Sequence, residues 1–293
     1  MVKFLVVIFG LILLYWPRFF ARLQRDQWFS GWQAWVNNLA VCKGAPGLGL
    51  VIALAAPVLI LWLLLAGLRG EFFGLPYFFA NVLVLLYAFG RGDSREQVDA
   101  LLEDLHRGDM QAAFRDLAFF TANGSGGEAE DHEAFGEELK ARLAYSYFER
   151  HLAVVFWFMV AGAPLALLYR LSVLYRQNVQ DHDPSDNAGD KWLWLMEWLP
   201  LRIVGFTLAL VGHFQTAVGR WRELLLSGES SQRVLLAVVN AAMSPAGVGG
   251  GSEEANRLAG GEVISQMVKE VEGLFYSAIV CWLVLISLVL ILS

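Results

Sequence analysis

Residues Phe148–Arg170 read FERHLAVVFWFMVAGAPLALLYR, and this stretch decides how the remainder of the chain is interpreted. Charged residues stand only at its margins, and the sixteen residues from Ala153 to Leu168 carry no charge. With its flanks the run reaches the roughly 20 residues that a helix needs to cross a bilayer core. Because Gly162 and Pro164 interrupt the middle, we expect a membrane span that is kinked at Pro164. The alternative is a break into two half-helices that line a cavity, in which case the segment can re-enter the bilayer instead of crossing it.

The composition of the whole chain is that of a membrane protein. Of its 293 residues 57% are hydrophobic and 17% are charged, and the mean hydropathy is +0.49. A soluble globule of this size would be less apolar. The formal net charge of -6 comes from acidic residues in short polar segments. Because no continuous basic face is visible, we expect no nucleic-acid partner and regard the lipid bilayer as the main one.

Six apolar segments predict an all-α, polytopic membrane protein with five or six transmembrane helices. They are residues 3–16, 47–68, 72–89, 152–172, 198–217 and 274–292. The first segment is followed by bulky and basic residues, Trp16-Pro17-Arg18, instead of a small-residue cleavage site, so we expect an uncleaved span. The two cysteines, Cys42 and Cys281, lie in a loop and in the last segment, and we expect two free thiols.

The basic residues predict the orientation of these segments. Most of the 22 lysines and arginines fall in the loops 17–46, 90–151 and 218–273, whereas Lys3, Arg69, Arg176 and Lys191 fall on the opposite side. By the positive-inside rule we expect the amino terminus outside and the long loops in the cytoplasm. The chain 1–293 is then one membrane domain with helical cytoplasmic insertions at about 90–150 and 218–273.

The polar insertions carry helix signals of their own. Asp93-Ser94 is an N-cap pair, and Gly108-Asp109 is a stop followed by a new cap, so a helical hairpin is expected here. A glycine-rich linker at 123–127 leads to an amphipathic helix at 128–147. The second insertion repeats this plan with helices near 231–243 and 253–272. In the loop 17–46, clustered aromatic residues predict a helix on the inner membrane surface.

Several motifs together resemble the AmpE family of bacterial inner-membrane proteins. They are Val155-Phe156-Trp157-Phe158, Gly162-Ala163-Pro164, Leu167-Leu168-Tyr169-Arg170, Trp198-Leu199-Pro200-Leu201-Arg202 and Ala209-Leu210-Val211-Gly212-His213. The resemblance runs over most of the chain. It implies an inner-membrane modulator of beta-lactamase induction, and it extends more distantly to the CbiB/CobD adenosylcobinamide-phosphate synthases.

The chain departs from the synthases in their acidic and amide motifs. It keeps their Gly108-Asp109, Phe156-Trp157 and Tyr169-Arg170. However, Leu171-Ser172-Val173-Leu174 stands where the synthases have Asn-Thr-Leu-Asp, and Thr121-Ala122-Asn123-Gly124 replaces Gly-Arg-Asp-Thr. Joining an amine to an activated carboxyl needs groups that handle protons and developing charge. We therefore expect no catalytic residue and no cofactor.

A set of residues at or within the fourth and fifth segments forms the candidate ligand-binding site. The set is Glu149, Arg150, Trp157, Tyr169, Arg170, Arg202 and His213. An ionisable side chain within a span is costly, which favours a functional role. Structural alternatives remain for three of these residues. Glu149 can be a solvated helix margin, Arg170 can snorkel to the far interface or form an ion pair, and Arg202 can snorkel from a first helical turn.

Weaker patterns predict neither a metal nor a nucleotide site. The acidic run 181–190 lacks the spacing of a calcium loop and its closing glutamate, so we expect no metal. The glycine-rich stretches 44–49 and 247–251 lack the Gly-Lys-Ser/Thr ending of a phosphate loop. Both are better explained as loops.

These observations lead to a hypothesis about function. In this hypothesis the chain is a non-enzymatic regulator in which a cavity between the fourth and fifth segments binds a muropeptide or another small anionic ligand. The Gly108-Asp109 hairpin then reports binding to a cytoplasmic protein partner. The alternatives are a membrane amide synthase of the cobinamide-phosphate type and a transporter, which the lack of an internal repeat disfavours.

Overall fold

The computed structural model describes residues 2–13, 26–39, 46–68, 74–90, 94–107, 132–182, 188–243 and 253–292. Within these ranges the chain is helical and contains no β-strand, which confirms the all-α prediction. The helices are α1 Val2–Leu13, α2 Gln27–Asn37, α3 Pro46–Leu68, α4 Leu75–Ala88, α5 Ser94–His106, α6 His132–Tyr147, α7 Ala153–Ala161, α8 Ala163–His182, α9 Ala188–Val211, α10 Phe214–Leu224, α11 Ser231–Ala242 and α12 Glu253–Leu292. A π-helical turn, Phe148–Leu152, joins α6 to α7.

Three helical stretches are long and apolar enough to cross a membrane. They are Gly47–Leu68, Ala188–Val211 and Glu262–Leu288, and α1 and α4 are shorter apolar helices. Large apolar side chains stay exposed on these helices. On three of them most recur every three or four residues: Leu5, Phe9 and Ile12 on α1, Leu195, Leu199, Phe206 and Leu210 on α9, and Tyr276, Val280, Val284 and Leu288 on α12. On α3 the exposed residues are nearly consecutive, from Leu59 to Leu64. Exposed apolar side chains are what lipid contact requires, so the helices support a membrane protein.

The fourth predicted span is broken into two helices at Gly162. This residue ends α7 with φ 84° and ψ -164°, a backbone conformation that glycine adopts readily because it has no Cβ. Pro164 is the second residue of α8, where its missing N–H would have had no intrahelical partner. The expected kink at Pro164 in a continuous helix is therefore wrong, and the break into two helices is the form observed.

The other predicted elements keep their places with changed bounds. The fifth span begins earlier, at Ala188, and ends at Val211, and the sixth is the second part of the 40-residue helix α12. Helices α5 and α6 confirm the predicted helices after Ser94 and before Phe148. The Gly108-Asp109 turn, its second helix, the linker 123–127 and Cys42 lie outside the described residues. Cys281 is a free cysteine, as expected.

The chain divides into two compact units. The first comprises residues 1–92 and 150–197, and the second comprises residues 93–149 and 198–293. The fourth predicted segment thus falls in the first unit, and the predicted fifth segment falls in the second.

Helix α8 is the centre of the first unit. It packs against α2, α3, α4 and α7, and α1 packs against α4. Its main apolar cluster joins three helices: Phe29 and Val36 of α2, Leu50, Ala53 and Leu54 of α3, and Leu167, Leu171, Leu174, Tyr175 and Val179 of α8. Burial of these apolar side chains holds α2, with its aromatic residues, against α8.

The second unit is built on α6, α11 and α12. Helix α11 packs against both α6 and α10, and α12 packs against α5 and α6. The Tyr147 hydroxyl donates to Glu272 Oε1 at 2.6 Å, and its ring stacks on Phe275 with centroids 5.6 Å apart. Further along α12, Trp282 Nε1 donates to Thr207 Oγ1 of α9 at 2.9 Å. These polar contacts fix the rotation of α12 about its axis.

Candidate functional site

Arg202 is a structural residue that caps the end of a neighbouring helix. Its side chain is buried, with Nε donating to Leu225 O at 2.8 Å and Nη2 donating to Ser227 O at 3.0 Å. Both carbonyls lie just beyond α10, at the helix end where unpaired carbonyls concentrate partial negative charge. The guanidinium carbon also lies 5.3 Å from the ring centroid of Trp198. The charge of Arg202 is therefore compensated within the fold.

Helix α10 folds back toward α9, and large side chains bridge the two helices. Trp221 Nε1 donates to the backbone oxygen of Arg202 at 2.8 Å, and its ring packs on Phe206 with centroids 5.2 Å apart. Gly205 allows this approach, because a Cβ there would lie 2.9 Å from Trp221 Cδ1. His213 lies at the turn between the two helices.

An open pocket of about 480 Å³ surrounds His213. Its lining is His213, Phe214, Gln215, Thr216, Asn240, Ala241 and Met243. The pocket therefore lies where the first turn of α10 meets the last turn of α11. The first amides of a helix have no intrahelical acceptor and carry partial positive charge, so the pocket offers hydrogen-bond donors to an anionic group.

Close backbone contacts hold the two sides of this pocket together. The His213 N–H donates to Ala242 O at 3.0 Å, and Thr216 Oγ1 donates to Ala241 O at 2.7 Å. A Cβ on Gly212 would lie only 2.5 Å from Ala242 O. The turn between α9 and α10 therefore requires glycine at position 212 for reasons of space.

One wall of the pocket is connected to α6 by a polar chain. Asn240 Nδ2 donates to Glu137 Oε2 at 3.1 Å, and Lys140 Nζ donates to Glu137 Oε1 at 2.6 Å. Burial acts to raise the pKa of Glu137, but the hydrogen bonds from Lys140 and Asn240 outweigh it, and the pKa lies below its ordinary value. Glu137 is thus held in its charged form beside the pocket.

The predicted residues of α8 take part in contacts within the first unit. Arg170 Nη2 lies 2.8 Å from Asp26 Oδ2, and the Arg170 side chain is 10% exposed. This ion pair is one of the alternatives predicted for Arg170. The Tyr169 hydroxyl donates to Glu197 Oε1 at 3.2 Å, and both residues are buried.

The remaining predicted residues lie near the start of α7. Glu149 and Arg150 belong to the π-helical turn and are partly buried. The Trp157 ring packs edge-on against Phe156 with centroids 5.1 Å apart. The second unit thus brings Arg202 and His213 into the α9–α10 pair, whereas Tyr169, Arg170 and Trp157 belong to the α7–α8 pair of the first unit. The seven predicted residues do not form one site within either unit.

No metal site is formed among the described residues, because no three His, Cys, Asp or Glu side chains there could hold an ion together. Part of the acidic run 181–190, including Asp183 and Asp186, lies outside the described residues.

Comparison with known protein families identifies the chain's relatives. A family model described as regulatory signalling modulator protein AmpE matches residues 6–245. The chain belongs to the AmpE family. The predicted resemblance to AmpE is therefore confirmed.

Two curated relatives agree with this assignment. Protein AmpE of Shigella flexneri is 27% identical over 184 residues, which cover 60% of this chain and 65% of that protein. Cobalamin biosynthesis protein CobD of Stutzerimonas stutzeri (strain A1501) is 26% identical over 147 residues, which cover 49% of this chain and 48% of that protein. The chain thus spans between about half and two thirds of these relatives. No solved structure matches.

Three residues important for the AmpE fold described here were not among the predicted site residues. Asn240 and Glu137 couple the pocket to α6, and Asp26 pairs with Arg170. A signal for Asp26 exists in the sequence, because it is the only acidic residue among the first 70. Asn240 is an isolated amide in an apolar helix, which is a weaker signal.

Proposed function

We propose that this AmpE family member is a non-enzymatic signalling modulator of the bacterial inner membrane, with its long loops in the cytoplasm. In this proposal it modulates beta-lactamase induction in response to cell-wall antibiotics by sensing a small anionic ligand, such as a muropeptide. The observation that carries the ligand part is the His213 pocket and its connection to α6 through Asn240 and Glu137.

The pocket is suited to one anionic group of such a ligand. Pockets of about 300–1,000 Å³ receive small ligands, and a carboxylate is stabilised at a helix N-terminus. A muropeptide carboxylate would accept hydrogen bonds from backbone amides in the first turn of α10 and would lie beside His213. Arg202 is not part of this proposal, because it does not line the pocket and is buried against the carbonyls that follow α10.

The connection to α6 supplies a route from ligand to partner. A ligand that accepts a hydrogen bond from Asn240 would compete with the bond from Asn240 to Glu137, which lies on the surface of α6. Helix α6 follows the predicted Gly108-Asp109 hairpin in the same insertion. A cytoplasmic protein that recognises this insertion would detect the change.

A binding assay tests the ligand part. A defined muropeptide would be titrated into the purified full chain in detergent, for wild type, His213→Ala and Asn240→Ala, with Arg233→Gln on the exposed side of α11 as the control. We expect each pocket variant to weaken binding about tenfold, or about 1.4 kcal/mol. Absence of binding by the wild-type chain would remove the muropeptide from the proposal.

A second assay tests the regulatory part. Beta-lactamase induction would be measured in a host that carries an inducible enzyme, with the gene for this chain deleted and then restored. We expect the ratio of induced to basal activity to change on deletion and to recover on restoration. An unchanged ratio would contradict the proposed role in induction.

The CobD relative favours a second candidate function. That protein is named for cobalamin biosynthesis, and its match covers 49% of this chain. The candidate is a membrane amide synthase or transferase that acts on a phosphorylated amine. Complementation of a strain that cannot make cobinamide phosphate distinguishes the two functions, since growth would require catalysis.

A further inference from the structure

We infer that the segment from His151 to Arg170 is a re-entrant helical hairpin whose two ends open on the same face of the membrane. The sequence favoured a segment that crosses the bilayer and left re-entry as the alternative. Three parts of the segment, all in the first unit, support the hairpin: its two ends and its tip.

Both ends of the segment contact the same end of α4. The His151 ring lies 5.9 Å from the ring of Phe89, measured between centroids. The Arg170 guanidinium lies against the next residue, Gly90, where a Cβ would be 2.9 Å from Arg170 Cζ. A straight helix over this segment would hold its ends about 28 Å apart. The two ends of the segment therefore lie at the same height along α4.

The tip of the hairpin lies beside the first turn of α1. Lys3 Nζ donates to Met159 O at 3.3 Å and to Val160 O at 3.4 Å. These carbonyls belong to the last turn of α7, where they lack intrahelical donors and where a positive charge is favourable. Lys3 thus caps α7 at the break.

The length of α7 agrees with a hairpin, whereas α8, with 20 residues, is long enough to continue well past Arg170. Helix α7 has nine residues and rises about 14 Å, which is half of a hydrocarbon core of about 30 Å. Helix α8 packs against α7 and against α4 on its way back. Gly162 itself is buried, although Val160 beside it is exposed, so the irregular backbone at Gly162 is tolerated at this depth.

Beyond Arg170, α8 continues to the face on which α2 lies. Asn178 Nδ2 donates to Gln33 Oε1 of α2 at 2.9 Å, and Tyr175 and Val179 belong to the same apolar cluster as Phe29. Helix α2 connects α1 to α3 in the chain. A continuous span would have placed Asn178 on the opposite face from α2. The positive residue Arg176 therefore belongs to the α2 face.

Cysteine labelling in membranes tests this topology. Single cysteines would be introduced into a Cys42→Ser, Cys281→Ser chain: Gln177→Cys for the end of α8, Ser30→Cys for the α2 face, and Gly67→Cys for the far end of α3. A Cβ at position 67 would have no atom within 4 Å, so a cysteine fits there. A membrane-impermeant maleimide would be applied to intact spheroplasts and to inverted vesicles.

The hairpin requires Gln177→Cys to be labelled from the same face as Ser30→Cys and from the face opposite to Gly67→Cys. Labelling of Gln177→Cys from the same face as Gly67→Cys, or from neither face, would overturn the inference.

A cross-link provides a second measurement that does not depend on reagent access. In membranes, oxidation of the Gln33→Cys, Asn178→Cys pair should give at least five times more intramolecular disulfide than oxidation of the Gln33→Cys, Gly67→Cys pair. Equal and low yields in both pairs would contradict the hairpin, because a continuous span separates positions 33 and 178 by the full membrane.

Discussion

The Nε atom of Arg202 lies 2.8 Å from the carbonyl oxygen of Leu225, and this hydrogen bond joins the second half of α9 to the end of α10. A second bond, from Nη2 to Ser227 O at 3.0 Å, uses the other side of the guanidinium. An arginine inside an apolar helix therefore does not by itself mark a ligand site. Here its charge compensates the carbonyl end of α10.

Replacement of Arg202 should destabilise the second unit. Arg202→Gln removes the charge from both hydrogen bonds, and bonds to charged groups contribute about 1.5–3 kcal/mol each. The midpoint of thermal unfolding in detergent, followed by tryptophan fluorescence, should fall by several degrees. The control is Arg220→Gln, which breaks an exposed ion pair with Glu223 that contributes about 0–1 kcal/mol. A similar midpoint for both variants would contradict the capping role.

A second prediction concerns Gly212 and Gly219. Gly212→Ala should disrupt the turn, because its Cβ would lie 2.5 Å from the backbone oxygen of Ala242. Gly219→Ala is the matched control, since nothing lies within 4 Å of its Cβ position inside α10. Alanine is favoured over glycine within a helix by about 0.5–1 kcal/mol, so Gly219→Ala should raise the unfolding midpoint slightly. Equal effects of the two variants would show that space at Gly212 is not limiting.

The helices and the membrane class could be predicted because both depend on local sequence. Apolar runs and caps placed α3, α5, α6 and the apolar part of α12 near their observed positions. Whether an apolar segment crosses the bilayer or turns back cannot be predicted in this way. An uncharged stretch such as Ala153–Leu168 has the same hydropathy whether it crosses the bilayer or folds on itself, and Gly162 only permits the break.

The candidate site was predicted less completely because its partners are distant in sequence. His213 and Arg202 could be identified as ionisable residues in an apolar segment. The role of Arg202 could not be predicted, because its guanidinium donates to the backbone carbonyls at positions 225 and 227, and a carbonyl has no sequence signature. Asn240 and Glu137 are 103 positions apart, so their hydrogen bond could be seen only in the folded chain.

The ion pair of Arg170 with Asp26 should show strong energetic coupling. Removing one partner leaves the other charge poorly solvated, which costs about 3–5 kcal/mol when a pair is fully buried and less here, because Asp26 is 26% exposed. In a cycle of Asp26→Asn, Arg170→Gln and the double variant, we expect the double variant to be less destabilised than the sum of the single ones. Additive losses would show that the two charges do not interact.

The contact of Glu137 with Asn240 makes the stability of the second unit depend on pH in a defined direction. Because hydrogen bonds from Lys140 and Asn240 lower the pKa of Glu137 in the folded state, folding is favoured by the charged carboxylate. The unfolded chain then binds the proton at higher pH than the folded chain does. The stabilisation is therefore complete above about pH 4.3, the ordinary pKa of glutamate, and is lost as the pH falls through the lower folded value.

Unfolding midpoints measured from pH 7 down to pH 3.5 for wild type and Glu137→Gln check this dependence. At neutral pH the variant should unfold at a lower temperature than wild type, and the difference should shrink as the pH falls below about 4.3. Glu223→Gln, which alters an exposed carboxylate on α10, serves as the control and should leave the wild-type pH dependence in place. A gap between wild type and Glu137→Gln that stays constant down to pH 3.5 would mean that Asn240 and Lys140 do not hold the carboxylate in its charged form.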